Sequence, residues 1–442
     1  MWTLPQARVH ACRGFRGGCA DVRHRRAIAR GAAGSGIGEG RGCTSGGCSE
    51  KPRNARRGAA LVRGTVQRVP GPCDERGGDR MAGLSPTARA AMQRPSRRQF
   101  AATVLHASGL LGGLTRLRAQ LVRDLRILAY HRVLTLADED AFGFDADLVS
   151  ASEAQFRAQM QLLARRFQPI RFADLIAAMD GGPSLPARAV IVTFDDGYDD
   201  NYTRAWPILR ETGVPATFFV STGHIDSGIV YAYDWLVHMI LRTTAARLVI
   251  AEIDVDLPIP ARPVDRRALA AMLLDRLKWR TADEQSAIIT RLEQAWAMPR
   301  AEGHADCRPM TWDQLREMRA SGMEIGSHGV WHNMLAKLPR EAMREEIAGS
   351  KRTLDRELGG SVEVISYPVG GIDAYDAEVL QAARDAGYRI GCSYASGTHR
   401  MPLSSPFELK RLPVERHMDE AWFAALVGLP EAFSYPSRQR IG

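Results

Sequence analysis

Length, composition and charge place this chain among globular proteins and exclude some functional classes. It has 442 residues, of which 45% are hydrophobic and 25% are charged, and these values are ordinary for a folded protein. The formal net charge of +9 comes largely from Arg residues before position 125. Because the rest of the chain has no basic patch with interleaved aromatic residues, we expect no nucleic-acid binding by the folded part.

Residues 1–95 form a leader that is rich in Gly and Arg and has almost no apolar periodicity. We expect this leader to be disordered, and a start codon placed too early would also explain it. The leader holds five of the seven Cys residues, but it has no CxxC spacing and no spaced His partners. A structural zinc site in the leader is therefore not expected.

Residues 96–124 carry a different pattern. Two Arg residues in Ser96–Phe100 precede a short apolar stretch that ends near Leu114. This pattern is similar to a twin-arginine export signal, and it equally fits a basic amphipathic helix that lies against the domain or a membrane surface. The stretch is too short to span a bilayer, so no transmembrane span is predicted. We expect a location in the cell envelope or periplasm rather than the cytoplasm, with peripheral membrane association as one form of it.

Strand and helix patterns alternate from residue 125 to residue 428, and a short polar tail follows at 429–442. Apolar, β-branched runs predict strands that are buried on both faces of a parallel sheet. Residues 225–308 interrupt the alternation with helical patterns and a capping box, which predicts a helical insertion at the mouth of the fold. The succession favours an α/β fold, either a barrel or a doubly wound sheet.

Two adjacent acids close the central strand. The apolar run Val190–Phe194 ends on Asp195 and Asp196, and Gly197 follows them. Neighbouring side chains on a strand point to opposite faces, but a turn at the glycine allows both carboxylates to converge. Active sites collect at the carboxyl ends of parallel strands. A helix cap, the alternative, does not need two acids on the strand side of the turn, so we expect a functional pair.

Two His residues, His328 and His332, follow another predicted strand. On one helical turn, residues four apart share a face, and two His at that spacing can chelate a single ion. Two imidazoles and one carboxylate leave a coordination position open, which is typical of catalytic zinc. A second carboxylate beside such an ion can take a proton from its water molecule.

The motifs resemble those of the polysaccharide deacetylase family, which is carbohydrate esterase family 4 and contains the nodulation-type chitooligosaccharide deacetylase domain. The first motif, Thr-Phe-Asp-Asp-Gly, is matched in full at 193–197. The second, His-Ser/Thr-x-x-His, is matched by His328 and His332 with Gly329 at the hydroxyl position. The Tyr-His-x-Val strand at 130–133 is similar to that of the branch associated with exopolysaccharides and biofilms.

The resemblance implies a distorted (β/α) barrel and a role for each matched residue. Asp195 would be the catalytic base, and Asp196, His328 and His332 would bind a divalent metal, Zn²⁺ in particular. The implied activity is a metal-dependent hydrolase that removes N-acetyl groups from amino sugars of a polysaccharide or oligosaccharide. Two alternatives stay open at this point: an esterase for O-acetyl groups, and a carbohydrate-binding relative without catalysis.

The family's last two motifs are altered here. The Arg-x-Pro-Tyr motif, which orients the base and binds the oxyanion, lacks both its Arg and its aromatic residue. Its positions are represented by Tyr367, Pro368 and Val369, and the backbone N–H of Val369 can still donate to an oxyanion. The Leu-x-His motif, which holds the general acid, is poorly matched. His417 and His131 are therefore both candidates for the acid.

Overall fold

A computed structural model describes residues 96–371 and 373–435 of the chain. The leader at 1–95 lies outside the described residues, and so does the end of the tail at 436–442. Nothing in the described structure therefore bears on the disorder expected for the leader.

The described residues contain thirteen strands and fourteen α-helices, in the alternating order that the sequence predicts. The strands are β1 Asp124–Tyr130, β2 Arg132–Val133, β3 Val149–Ala151, β4 Gln168–Pro169, β5 Ala189–Phe194, β6 Ala216–Val220, β7 Arg247–Ile250, β8 Val255–Pro258, β9 Glu324–Ser327, β10 Val364–Ser366, β11 Ile390–Ser396, β12 His399–Arg400 and β13 Leu409–Pro413. The helices are α1 Arg97–Ala107, α2 Leu110–Leu121, α3 Glu153–Arg166, α4 Phe172–Met179, α5 Trp206–Thr212, α6 Thr222–Ser227, α7 Ala232–Arg242, α8 Pro263–Leu277, α9 Ala282–Ala295, α10 Trp312–Ala320, α11 Arg340–Leu358, α12 Ala377–Asp385, α13 Glu420–Gly428 and α14 Pro430–Phe433.

Seven of these strands close into a parallel barrel in the order β1, β5, β6, β9, β10, β11, β13 and back to β1. A regular barrel of this class has eight strands, so the barrel is a distorted one. The pairing of β1 with both β5 and β13 leaves no open edge between them. The predicted α/β fold with a distorted (β/α) barrel is confirmed, and a doubly wound sheet is excluded.

The strands of the barrel are apolar because both of their faces are covered. Every residue of β1 and of β5 is buried. A charged residue in such a strand needs a partner, and Arg126 in β1 has two: it lies 3.1 Å from a carboxylate oxygen of Asp124 and donates to the carbonyl of Val427 at 2.7 Å.

The chain between β6 and α10 packs a hydrophobic cluster of its own. This cluster is formed by α7, α8, α9 and the antiparallel hairpin of β7 and β8, with Leu236, Leu273 and Leu292 among its buried residues. Phe144 and Cys307 belong to the same cluster. The bounds predicted for the insertion, 225–308, and for the other domains stay predictions.

Helices α1 and α2 form a hairpin before the first barrel strand. Gln99 in α1 donates to Asp419, the N-cap residue of α13, at 3.2 Å. Arg118 in α2 makes a bidentate ion pair with Asp124 at 2.7 and 3.0 Å and also pairs with Glu431. In the described part of the chain, no helix combines the length and the apolar character needed to cross a membrane.

Candidate active site

The residues predicted to carry the chemistry lie at the carboxyl ends of β5 and β9. Asp195 continues the ladder by donating its N–H to the carbonyl of Tyr130 at 2.9 Å, and His328 does so to Val220 at 2.8 Å. The backbone then turns, because Asp196 and Gly197 both have left-handed conformations with φ of 73° and 72°. A side chain at Gly197 would also lie 2.8 Å from Val220, so this position requires glycine.

Asp196, His328 and His332 come together as a possible metal site. Their ligand atoms all lie within 4.8 Å of one another. The Nε2 atoms of His328 and His332 are 3.4 and 3.2 Å from the same oxygen of Asp196. Nδ1 of His328 lies 2.7 Å from the carbonyl of Ser366. That contact is donated by a proton on Nδ1, so Nε2 is the ring nitrogen directed at Asp196 and the one that could bind a metal ion.

The two His residues do not lie on a helical turn, so this part of the prediction is wrong. Residues 328–334 form a loop with left-handed conformations at Gly329 and His332, whose φ values are 78° and 59°. The carboxylate of Glu346 in α11 holds the loop, since it accepts hydrogen bonds from the N–H groups of Val330 and Trp331 at 2.7 and 3.0 Å. A buried acid, and not helical periodicity, therefore sets the spacing of the imidazoles.

Arg411 in β13 holds the predicted base, and the sequence analysis missed it. Its guanidinium donates to both carboxylate oxygens of Asp195, at 2.8 and 2.7 Å, and it is fully buried. It also donates to the hydroxyl of Ser366 at 3.0 Å and to the carbonyl of Ser393 at 2.8 Å. Burial by itself would raise the pKa of Asp195, but Arg411, with help from His328, lowers that pKa below its ordinary value.

Burial and hydrogen bonding also act on the carboxylate of Asp196. Burial would raise its pKa, but the hydrogen bonds with His328 and His332 hold it well below the ordinary range for Asp. Both acids are therefore ionised at neutral pH, one turned towards Arg411 and the other towards the imidazoles. The two neighbours thus have separate partners, which fits separate tasks.

The chain between β10 and α12 supplies the predicted oxyanion region, and its residues differ in exposure. Tyr367 is buried, and its hydroxyl donates to the carbonyl of Phe407 at 3.0 Å, so its side chain is part of the core. Pro368 is also buried, whereas Val369 is 48% exposed and has a left-handed φ of 64°. Of these residues, Val369 is the one that meets solvent.

The structure separates the two candidates for the acid. His131 directly follows β1, and its charge lowers the pKa of both Asp195 and Asp196. His417 is exposed, and its Nε2 lies 2.6 Å from the hydroxyl of Tyr435, with its ring against Trp422. His131 therefore lies near the carboxylates, whereas His417 belongs to a separate aromatic cluster.

Unusual backbone conformations are concentrated at this site. Five described residues other than glycine have a positive φ, and three of them are Asp196, His332 and Val369. Such conformations cost roughly 1–3 kcal/mol each and are found at functional sites, where the surrounding structure holds them in place. The concentration is an indication of function that does not depend on any motif.

Comparison with known proteins gives the family. The sequence model for the family described as polysaccharide deacetylase matches residues 182–391, which include all three possible metal ligands and the predicted base. The chain belongs to the polysaccharide deacetylase family. Two predictions are thereby confirmed: that the protein is a hydrolase, and that it belongs to the exopolysaccharide branch of the family.

Individual proteins that match this chain are similar to it at low identity or over short segments. YxkH of Bacillus subtilis (strain 168), a candidate polysaccharide deacetylase, is 23% identical over 306 residues, which is 69% of this chain and 76% of that protein. The poly-beta-1,6-N-acetyl-D-glucosamine N-deacetylase of Escherichia coli (strain K12) is 37% identical over 101 residues, but these are 23% of this chain and 14% of that protein. The solved Streptococcus pyogenes deacetylase PplD is 19% identical, with a TM-score of 0.47, and the match covers 71% of this chain and 100% of that one.

Proposed function

We propose that this polysaccharide deacetylase removes N-acetyl groups from amino sugars of a polysaccharide, with Asp195 as the base. The observation that carries the proposal is the buried Asp195, which a bidentate Arg411 keeps ionised beside a separate Asp-His-His cluster. A base next to a possible metal site is what hydrolysis of an unreactive amide requires. The E. coli relative, named as an N-deacetylase of poly-beta-1,6-N-acetyl-D-glucosamine, supports an N-acetylated polymer as substrate.

The residues present fit a divalent metal ion. Asp196, His328 and His332 offer one carboxylate oxygen and two imidazole nitrogens, a donor set typical of catalytic Zn²⁺. The contact between His328 and the carbonyl of Ser366 orients one of these nitrogens before any ion arrives. A bound ion would supply the electrophile that activates water and polarises the acetyl carbonyl.

The remaining steps belong to the chain's own residues. Asp195 accepts the proton of the attacking water, since its carboxylate is ionised and held in place by Arg411. The backbone N–H of Val369 donates to the oxygen that gains negative charge. His131 donates a proton to the departing amine, because it is the imidazole outside the metal cluster whose charge reaches both carboxylates.

The test combines metal content with deacetylase activity of the full chain on chitooligosaccharide and poly-N-acetylglucosamine. We expect the wild type to bind about one divalent ion per chain. His328→Ala should lose this ion, whereas Asp195→Asn should keep the ion but be inactive. His399→Ala is the matched control, because its Nε2 contacts the backbone of Lys410 outside the cluster, and it should keep both properties. A wild type without metal, or an active Asp195→Asn, would overturn the proposal. Cleavage of O-acetyl esters without any cleavage of N-acetyl groups would make the protein an esterase.

A further inference from the structure

The helical hairpin of α1 and α2 exposes a continuous apolar face. Leu110, Leu114, Leu117 and Leu121 recur at spacings of four, three and four, so they form one stripe along α2. These leucines are 60%, 41%, 54% and 76% exposed. In α1, Phe100 and Val104 are 63% and 50% exposed.

This concentration sets the hairpin apart from the rest of the described surface. Thirteen large hydrophobic side chains are exposed in the described residues, and six of them lie between positions 100 and 121. Single exposed hydrophobic residues are normal on a protein surface, whereas a contiguous patch marks an interaction site.

Contacts with the rest of the domain fix the orientation of the hairpin, and its leucine stripe stays exposed. Ala102 in α1 and Leu111 in α2 are buried, so each helix also has a side that packs against the domain. Arg118 joins α2 to Asp124 and Glu431, and Gln99 joins α1 to Asp419. The ordered inner face leaves the leucines pointing outward.

The charges within the hairpin itself are all of one sign. Residues 96–123 contain five Arg and no Asp or Glu. Arg118 is neutralised by its ion pairs, and the four that remain are Arg97, Arg98, Arg116 and Arg123. An apolar stripe on a hairpin whose own free charges are all basic complements an anionic lipid surface. Leucines enter the headgroup boundary of such a surface, and each Arg contributes about 1 kcal/mol.

A second copy of the chain is a poorer occupant for the same face. A twofold contact places the same patch on both sides, so the Arg residues of the two hairpins would meet with no acid from residues 96–123 to offset the repulsion. A membrane surface rich in anionic lipid has no such conflict.

We propose that the α1–α2 hairpin docks the protein on an anionic membrane surface. Arg118 pairs with Asp124, the first residue of β1, so α2 lies at the amino end of that barrel strand. The site residues follow the carboxyl ends of β5 and β9, and all barrel strands run parallel. Arg118 and Asp195 therefore lie at opposite ends of the barrel strands.

The test measures sedimentation of the full chain with vesicles of phosphatidylcholine containing 30% phosphatidylglycerol, a fraction chosen at roughly physiological anionic content. The variant carries Leu114→Ser, Leu117→Ser and Leu121→Ser. We expect it to bind roughly 100-fold more weakly than wild type, at about fivefold per leucine. Wild-type binding should also fall when salt is raised or when the anionic lipid is omitted.

The matched control replaces three residues of similar exposure elsewhere on the surface, through Val249→Ser, Leu257→Ser and Val264→Ser. This control should bind vesicles as wild type does, and both triple variants should keep deacetylase activity on soluble oligosaccharide. Equal vesicle binding by the leucine variant and wild type would overturn the proposal, because the basic leader would then carry the affinity. The proposal would also be overturned if the wild type is a dimer that does not bind vesicles and the leucine variant is a monomer.

Discussion

Replacement of Arg411 by Met tests the central electrostatic feature of the site. In the wild type, Asp195 is 2% exposed and depends on the two hydrogen bonds from Arg411 to stay ionised. The variant leaves this carboxylate buried without its main partner. The charge must then be tolerated at a cost to stability, or the group must take up a proton.

The size of the effect follows from the burial. Removal of one partner of a buried ion pair costs about 3–5 kcal/mol of stability. Protonation of Asp195 relieves part of this cost, so the pKa of Asp195 rises in the variant. His328 still lowers this pKa, so we expect a loss of stability near the lower end of that range.

The assay is the pH dependence of kcat/KM on a chitooligosaccharide. The acid limb, where activity rises as Asp195 loses its proton, should move to higher pH in Arg411→Met, because the pKa of Asp195 rises when its main partner is removed. Arg411→Lys keeps a charge without the bidentate geometry and should give a smaller movement. Arg126→Met is the matched control, because Arg126 is equally buried in the barrel but pairs with Asp124. An unchanged acid limb in Arg411→Met, with a loss of stability like that of the control, would refute the reasoning.

Three further predictions concern the loop at 328–334, the contact of Trp331 with the substrate, and Asp234 in the predicted insertion. Glu346→Gln should weaken metal binding by roughly 10–100-fold in a chelator competition. One carboxylate oxygen of Glu346 accepts hydrogen bonds from two backbone N–H groups of the loop at 328–334, and the variant loses its negative charge. Unchanged metal affinity would show that the loop keeps its conformation without this charge. Trp331→Ala should lower kcat/KM on a polymer by about tenfold but leave activity on a small acetyl ester unaffected. The half-exposed ring of Trp331 directly precedes the possible metal ligand His332 in the chain and can stack on sugar rings. Equal losses on both substrates would contradict this. Burial raises the pKa of Asp234 to about 7, above its ordinary 3.8, so the folded protein binds an extra proton and loses stability as pH rises between these values. Asp234→Asn should therefore raise the melting temperature relative to wild type more at pH 8 than at pH 4, and an equal change at both values would exclude ionisation as the cause.

The sequence predicted those parts of the molecule that depend on short-range patterns. The buried runs of β5 and β6 and the acids at the end of β5 are local features, and their alternation with helices indicates an α/β fold. The alternation alone did not distinguish a barrel from a doubly wound sheet, and the closed barrel was implied by the family resemblance. Arg411 is different, since its contact with Asp195 spans 216 positions of the chain. Strand β13 contains two adjacent charged residues, Lys410 and Arg411, and the sequence says neither that Arg411 is the buried one nor which acid faces it.

The wrong prediction of a helical turn at His328 and His332 has a similar origin. The spacing of four residues allows a helix, but Glu346 from α11 binds the loop backbone and imposes another conformation. The ambiguity between His131 and His417 also needed three-dimensional information. Both residues follow barrel strands, and only the packing of His417 against Trp422 and Tyr435 distinguishes them.

The closure of the barrel has a consequence for the order in which the protein matures. Asp196, His328 and His332 are all synthesised before β13, which provides Arg411 and pairs with β1 at Leu128 and Leu412. Such long-range pairing forms late, because a large loop must close first. A chain that ends before residue 409 would contain the whole possible metal site but would lack the cation that keeps Asp195 ionised. The cation that keeps Asp195 ionised therefore joins the site only when β13 closes the barrel.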